Sequence, residues 1–193
     1  VVLGARRADR LEKLASEIGA NAIWKVTDVT KKSDVEGLAQ HAIDSFGGVD
    51  VLINNAGIMP VSFLAADKVD DWERMIDINI KGVLYGIHSV LNHMLAKGDG
   101  SIINIASTAA HKVGPSGSVY SATKTAVKVI TDGLRHEVDG VLRVCTICPG
   151  ITESELADSV TDSDVSPMVR QIFEEKAMPA TAIAEAVAYV LSQ

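Results

Sequence analysis

Apolar residues fall into two alternating patterns along the chain. Short continuous runs, Val1 to Ala5, Ala22 to Val26, Val51 to Ile53, Ser101 to Ala106 and Val141 to Ile147, read as strands. Between them, apolar positions recur at helical spacing over Ala8 to Ile18, Ser33 to Phe46, Trp72 to Lys97, Val119 to Val138 and Ile183 to Leu191. Ser33 is the expected N-cap of the second helix. Runs such as Val51-Leu52-Ile53 lack the in-out alternation of a half-exposed sheet, so both faces are expected to be covered. Strand-helix alternation of this kind predicts an α/β fold: a doubly wound parallel sheet with helices on both faces, joined by right-handed crossovers. Residues 1–193 read as one domain. The polar, partly helical stretch Asp158 to Pro179 has no place in the alternation and is the expected lid.

Composition narrows the class. The 193 residues are 47% apolar and 22% charged, ordinary for a globular protein. A net charge of −7 without a basic cluster argues against nucleic acid as a partner. The apolar runs are too short for a membrane helix, and there is no signal-peptide pattern. Cys145 and Cys148 fall in a strand, where positions three apart face opposite ways, so they read as two buried reduced thiols rather than a metal or redox pair. A reducing, cytoplasmic location follows as the expectation.

The residues with chemical potential gather after strands. Asp28 follows the second, Asn54-Asn55-Ala56-Gly57 the third, Ser107 the fourth and Pro149-Gly150 the fifth. In parallel α/β sheets the carboxyl ends of the strands are where ligands bind. Tyr120 and Lys124 stand four apart, on one face of a helix. A Lys ammonium about 4 Å from a phenol, at an effective dielectric of about 20, is worth roughly 4 kcal/mol, or about three pKa units. That brings a phenol of ordinary pKa near 10 towards useful acid/base range.

Five features in this order, Asn54-Asn55-Ala56-Gly57, Asn79 within Ile78-Asn79-Ile80-Lys81-Gly82, Ser107, Tyr120-x-x-x-Lys124 and Pro149-Gly150, resemble the short-chain dehydrogenase/reductase family along nearly the whole chain. The resemblance implies a Rossmann-type sheet, a nicotinamide dinucleotide, and hydride transfer to or from a carbonyl or alcohol. It implies Tyr120 as general acid/base, Ser107 as donor to the substrate oxygen, and Lys124 on the ribose and as the activator of the phenol. Asn79 would hold a water connecting Lys124 to solvent; alternatively it bonds or bends its own helix. Asp28 and Val29 would meet the adenine, and Asn54, Ala56 and Gly57 would form the turn beneath the adenosine. Pro149, Gly150, Thr152 and Ser154 would line the nicotinamide end, with Ser154 standing where the family has Thr. At the end of the first strand, Ala5 replaces the acidic residue of NAD-preferring members, and Arg6 and Arg7 follow it. The cofactor expected is therefore NADP rather than NAD. No metal site is expected.

The family's opening strand, its Gly-rich turn and its last strand have no counterpart here, so the chain is expected to be clipped from a longer polypeptide and its sheet to carry unpaired edges. A homodimer or homotetramer is implied by the resemblance and by Ile80, Val83, Leu84, Ile87, Val90 and Leu91 on one helix. The alternatives are a catalytically silent dinucleotide-binding sensor or partner protein, and a fragment with no activity. The substrate is not legible. His111 reads as an exposed loop residue, though it lies where substrate is recognised.

Overall fold

A computed structural model describes residues 1–193. The strands are β1 (Val2–Ala5), β2 (Ile23–Val26), β3 (Val51–Asn54), β4 (Ser101–Ile105) and β5 (Arg143–Ile147). The helices are α1 (Ala8–Ile18), α2 (Lys32–Phe46), α3 (Val69–Met75), α4 (Gly82–Lys97), α5 (Ser118–Glu137), α6 (Ser166–Lys176) and α7 (Ala180–Leu191). All strand pairs are parallel, with helices on both faces. The order is β1-β2 in one part and β3-β4-β5 in the other; β1 and β3 do not bond to each other. Ile53 is accordingly 43% exposed in a strand that would otherwise be covered.

The core lies against β4. Ile102, Ile103 and Asn104 are essentially inaccessible, and Val83, Ile87, Val90 and Met94 of α4 pack with Val127 and Leu134 of α5 over the sheet. Fully burying a side chain of this size contributes roughly 1.5–3 kcal/mol, so this layer dominates the hydrophobic stabilisation. Helix ends follow local chemistry. At the end of α4, Gly98 takes φ +75° and donates its N–H to Met94 O at 2.9 Å, a left-handed cap that a side chain would strain.

Four expectations are corrected. Ser33 lies inside the first turn of α2, and Lys31 occupies the cap without a side-chain bond; instead Asp34 Oδ2 accepts the Asp28 N–H at 3.1 Å. The expected helix Trp72 to Lys97 is interrupted by a π-helical turn over Ile76–Lys81, with α3 before it and α4 after it. Val83, Ile87 and Val90, expected to be surplus apolar surface, are core; Leu84 stays 43% exposed. The two thiols are free but half-buried rather than fully buried. No helix is long and apolar enough to cross a membrane.

Residues Glu155 to Lys176 form a cap beside the strand ends. The segment after Pro149-Gly150 returns on itself: Glu153 N bonds Met178 O and Met178 N bonds Ile151 O, each at 2.9 Å. Ala157, Val160, Val165 and Val169 of this cap pack with Val61, Met75 and Tyr120 in a second apolar cluster. Polar ties fix it further. Met59 N donates to Ser159 Oγ at 3.0 Å, and the Thr161 hydroxyl bonds the buried Asp71 carboxylate, which Arg74 also meets at 3.0 Å.

Candidate active site

Ser107 follows β4 and caps a short 3-10 turn, its Oγ accepting the Ala109 N–H at 3.1 Å. Its O–H is thereby left as a donor. Tyr120, in the first turn of α5, is 8% exposed, and burial pushes its phenol up while the adjacent Ser107 hydroxyl pulls it back. Lys124 is 6% exposed; its Nζ donates to Ile105 O at 2.9 Å and stands 6.0 Å from the Tyr120 ring centre. Burial pulls the ammonium down to about 8. The ammonium is held by a sheet carbonyl, and without dinucleotide the direction of the phenol is set by burial, opposed by the Ser107 hydroxyl.

The π-helical turn explains Asn79. Such turns project a side chain out of the ordinary helical row. Asn79 Oδ1 accepts the Ile58 N–H at 2.9 Å, and Nδ2 donates to Ile58 O at 3.0 Å and to Thr123 Oγ1 at 3.1 Å. Both amide hydrogens are therefore used, and one Oδ1 lone pair remains. The residue clamps the loop after β3 to α5 rather than bonding a helix carbonyl. Gly57 sits against this clamp: a β-carbon there would lie 3.3 Å from Asn79 Oδ1 and 3.4 Å from Lys124 Nζ. The bare Cα lets backbone approach both polar atoms.

The expected dinucleotide residues line the strand ends in turn. Asp28 Oδ1 accepts from Thr30 N at 3.0 Å and Thr30 Oγ1 at 2.8 Å, which holds the carboxyl below its ordinary value; Arg6 adds to this from a distance. Val29 packs on Gly82, where a β-carbon would come within 3.1 Å of it. Asn54 turns inward. Its Nδ2 donates to Asn104 Oδ1 at 2.8 Å, Asn104 Nδ2 donates to Thr131 Oγ1 at 2.9 Å, and Thr131 returns its proton to Val127 O at 2.7 Å. The Asn54 carboxamide therefore faces the helix layer, leaving its backbone and that of Ala56 and Gly57 at the strand end. Pro149 O accepts from Thr108 N at 2.9 Å, tying the fifth strand end to the Ser107 loop. Thr152 Oγ1 bonds Gly150 O at 3.1 Å, and Ser154 Oγ donates to Thr152 O at 3.2 Å, so both hydroxyls brace the turn. His111 is exposed.

Arg6 and Arg7 are exposed at the start of α1. Arg7 Nη1 meets Glu155 Oε2 at 2.7 Å, and Arg10 Nη1 meets Glu155 Oε1 at the same distance. Sequence reasoning missed Arg10. Its signal was the three-residue spacing from Arg7, which puts both on one helix face. It also missed Asn104 and Thr131, isolated polar residues in apolar surroundings whose meaning depends on being neighbours.

A nicotinamide dinucleotide fits these groups: a backbone cradle at Gly57, a cation pair already holding an anion, and a Ser-Tyr-Lys set at the end of β4. The family model for short chain dehydrogenase matches residues 1–164, and the chain belongs to that family. It is an NAD(P)-dependent oxidoreductase. An uncharacterized oxidoreductase of Staphylococcus saprophyticus is 46% identical across the whole chain, which spans 80% of that protein. A second, from Listeria monocytogenes, is 43% identical over the same shares. Among solved structures, a serine dehydrogenase complexed with NADP+ superposes with TM-score 0.92 at 32% identity, covering 100% of this chain and 79% of that one. A short chain dehydrogenase/reductase from Burkholderia phymatum in complex with NAD gives 0.91 at 26% identity, covering 99% and 76%.

Proposed function

We propose that the protein is an NADP(H)-dependent alcohol dehydrogenase or carbonyl reductase in which Tyr120 exchanges the proton with the substrate oxygen. The observation that carries this reading is the convergence of the buried Tyr120 hydroxyl, the Ser107 hydroxyl and the Lys124 ammonium at the end of β4. The dinucleotide, when bound, supplies or takes the hydride at the substrate carbon. Ser107 donates its free O–H to the substrate oxygen, where charge develops during reduction. Tyr120 carries its proton in the dinucleotide-free site and donates it to that oxygen, the Ser107 hydroxyl pulling the phenol back against the effect of burial; in oxidation it accepts the proton back. Lys124 and Asn79 flank Gly57, so Lys124 holds the ribose there and the remaining Asn79 lone pair anchors the water that relays protons to solvent. Arg6 and Arg7 recognise the 2′-phosphate, and the absence of a carboxylate at Ala5 leaves nothing to repel it.

The segment Asp158 to Pro179 serves as the substrate lid, since its Val160, Val165 and Val169 share one apolar cluster with Tyr120. Leu84 and Val129, 43% and 62% exposed, support pairing of subunits through α4 and α5 as a homodimer or homotetramer. The free thiols support a reducing, cytoplasmic setting.

The test is loss of NADPH absorbance by the full-length protein with a panel of ketones, and its gain with alcohols, serine included. Turnover with at least one panel member, faster with NADPH than with NADH, is expected. NADPH binding without turnover of any member would sink the enzymatic reading and leave the silent sensor.

A further inference from the structure

The cluster of Arg7, Arg10 and Glu155 joins segments 148 residues apart and has no part in the proton chemistry. Glu155 opens the short turn that leads from Pro149-Gly150 into the cap. Each of its carboxylate oxygens meets a different guanidinium at 2.7 Å. The three side chains are 52–56% exposed, and ion pairs so exposed add little to stability. Their placement is the informative part. Two guanidiniums converging on separate oxygens of one anion is the arrangement that also binds a phosphate monoester. Arg6, by contrast, lies towards Asp28 and helps hold that carboxyl ionised.

We propose that Glu155 sets coenzyme discrimination as an internal anion, which the 2′-phosphate of NADP displaces from Arg7 and Arg10. This rests on the assignment of the arginines after β1 to the 2′-phosphate, and extends it to Arg10. An unphosphorylated dinucleotide leaves the two ion pairs in place. The phosphorylated one takes over both guanidiniums. The cost is that Glu155 weakens binding of the phosphate by competing for its partners.

The experiment is calorimetric titration of the full-length protein with 2′,5′-ADP and with 5′-AMP at one fixed ionic strength. These probes differ by the phosphate alone. Glu155→Gln should bind 2′,5′-ADP about fivefold tighter and 5′-AMP within about twofold of wild type, as loss of a competing exposed ion pair requires. Arg10→Ala should weaken 2′,5′-ADP and spare 5′-AMP. Glu153→Gln removes a nearby carboxylate that has no arginine partner and should match wild type. Unchanged or weaker 2′,5′-ADP binding by Glu155→Gln, or an equal gain in Glu153→Gln, overturns the role of Glu155 while leaving the phosphate assignment standing. A wild type that does not distinguish the two probes overturns that assignment, and this proposal with it.

Discussion

Replacing Lys124 with Met removes a charge that the fold pays to bury. An ammonium whose ordinary value of 10.5 has fallen to about 8 carries a desolvation cost of about 3 kcal/mol at neutral pH. The substitution also removes the hydrogen bond from Nζ to Ile105 O, worth about 1 kcal/mol net. The dinucleotide-free variant should therefore be about 2 kcal/mol more stable than wild type at pH 7. The pH dependence is the sharper signature. Below about 8 both folded and unfolded lysine are charged, and the cost is fully present. Between about 8 and 10.5 the folded chain sheds a proton that the unfolded chain keeps, so wild-type stability rises with pH by way of this group. Met cannot follow. The variant's advantage should shrink through that window and end as a deficit of about 1 kcal/mol, the lost hydrogen bond. Urea unfolding of both proteins at pH 7, 8.5 and 10 measures the difference, in which titrations common to both cancel. A difference that stays flat across the window would refute the buried-charge argument. A variant less stable at pH 7 would refute the magnitude.

Three further outcomes are expected. Tyr120→Phe should lower kcat by about 10²–10⁴, the range for losing a general acid, with dinucleotide Kd nearly unchanged; wild-type turnover would remove the phenol from the mechanism. Asn79→Ala strips the Ile58 N–H and C=O of their partner and should cost about 2–4 kcal/mol in urea unfolding, with weakened dinucleotide binding as the Gly57 loop loosens. Gly86→Ala places a β-carbon 2.1 Å from Asn54 Oδ1, which Asn104 prevents from swinging away, so about 1–3 kcal/mol of stability should be lost. A thermal midpoint equal to wild type would show that the Asn54 carboxamide is free to turn.

Strand positions were legible because buried parallel strands are uniformly apolar and Gly or polar residues interrupt them at their ends. Tyr120 and Lys124 were legible as a pair because helical spacing alone fixes their shared face. What they do to each other was not. The direction of the Tyr120 perturbation depends on how deeply α5 sinks against the cap, and on Ile105 O, a sheet carbonyl that spacing in α5 does not reveal. The π-helical turn at Ile76–Lys81 was hidden for a related reason. Its apolar positions keep helical spacing with those on either side, and the partner that Asn79 meets, Ile58, lies in another segment that this spacing does not reveal. Glu155 illustrates the same limit, since contacts between segments 148 residues apart leave no local trace.

The Asn54, Asn104 and Thr131 chain has a consequence for precision. It links a strand to its neighbour and then to α5 eleven residues beyond Tyr120, with each donor matched to a single acceptor. Greasy contacts between a helix and a sheet tolerate sliding, but a hydroxyl pegged to one amide does not. Slippage by one residue would carry Tyr120 about 1.5 Å along the axis and roughly 100° around it, away from Ser107. Thr131 thus works as a ratchet pawl: sited well away from the reacting atoms, it keeps two separately anchored hydroxyls in step.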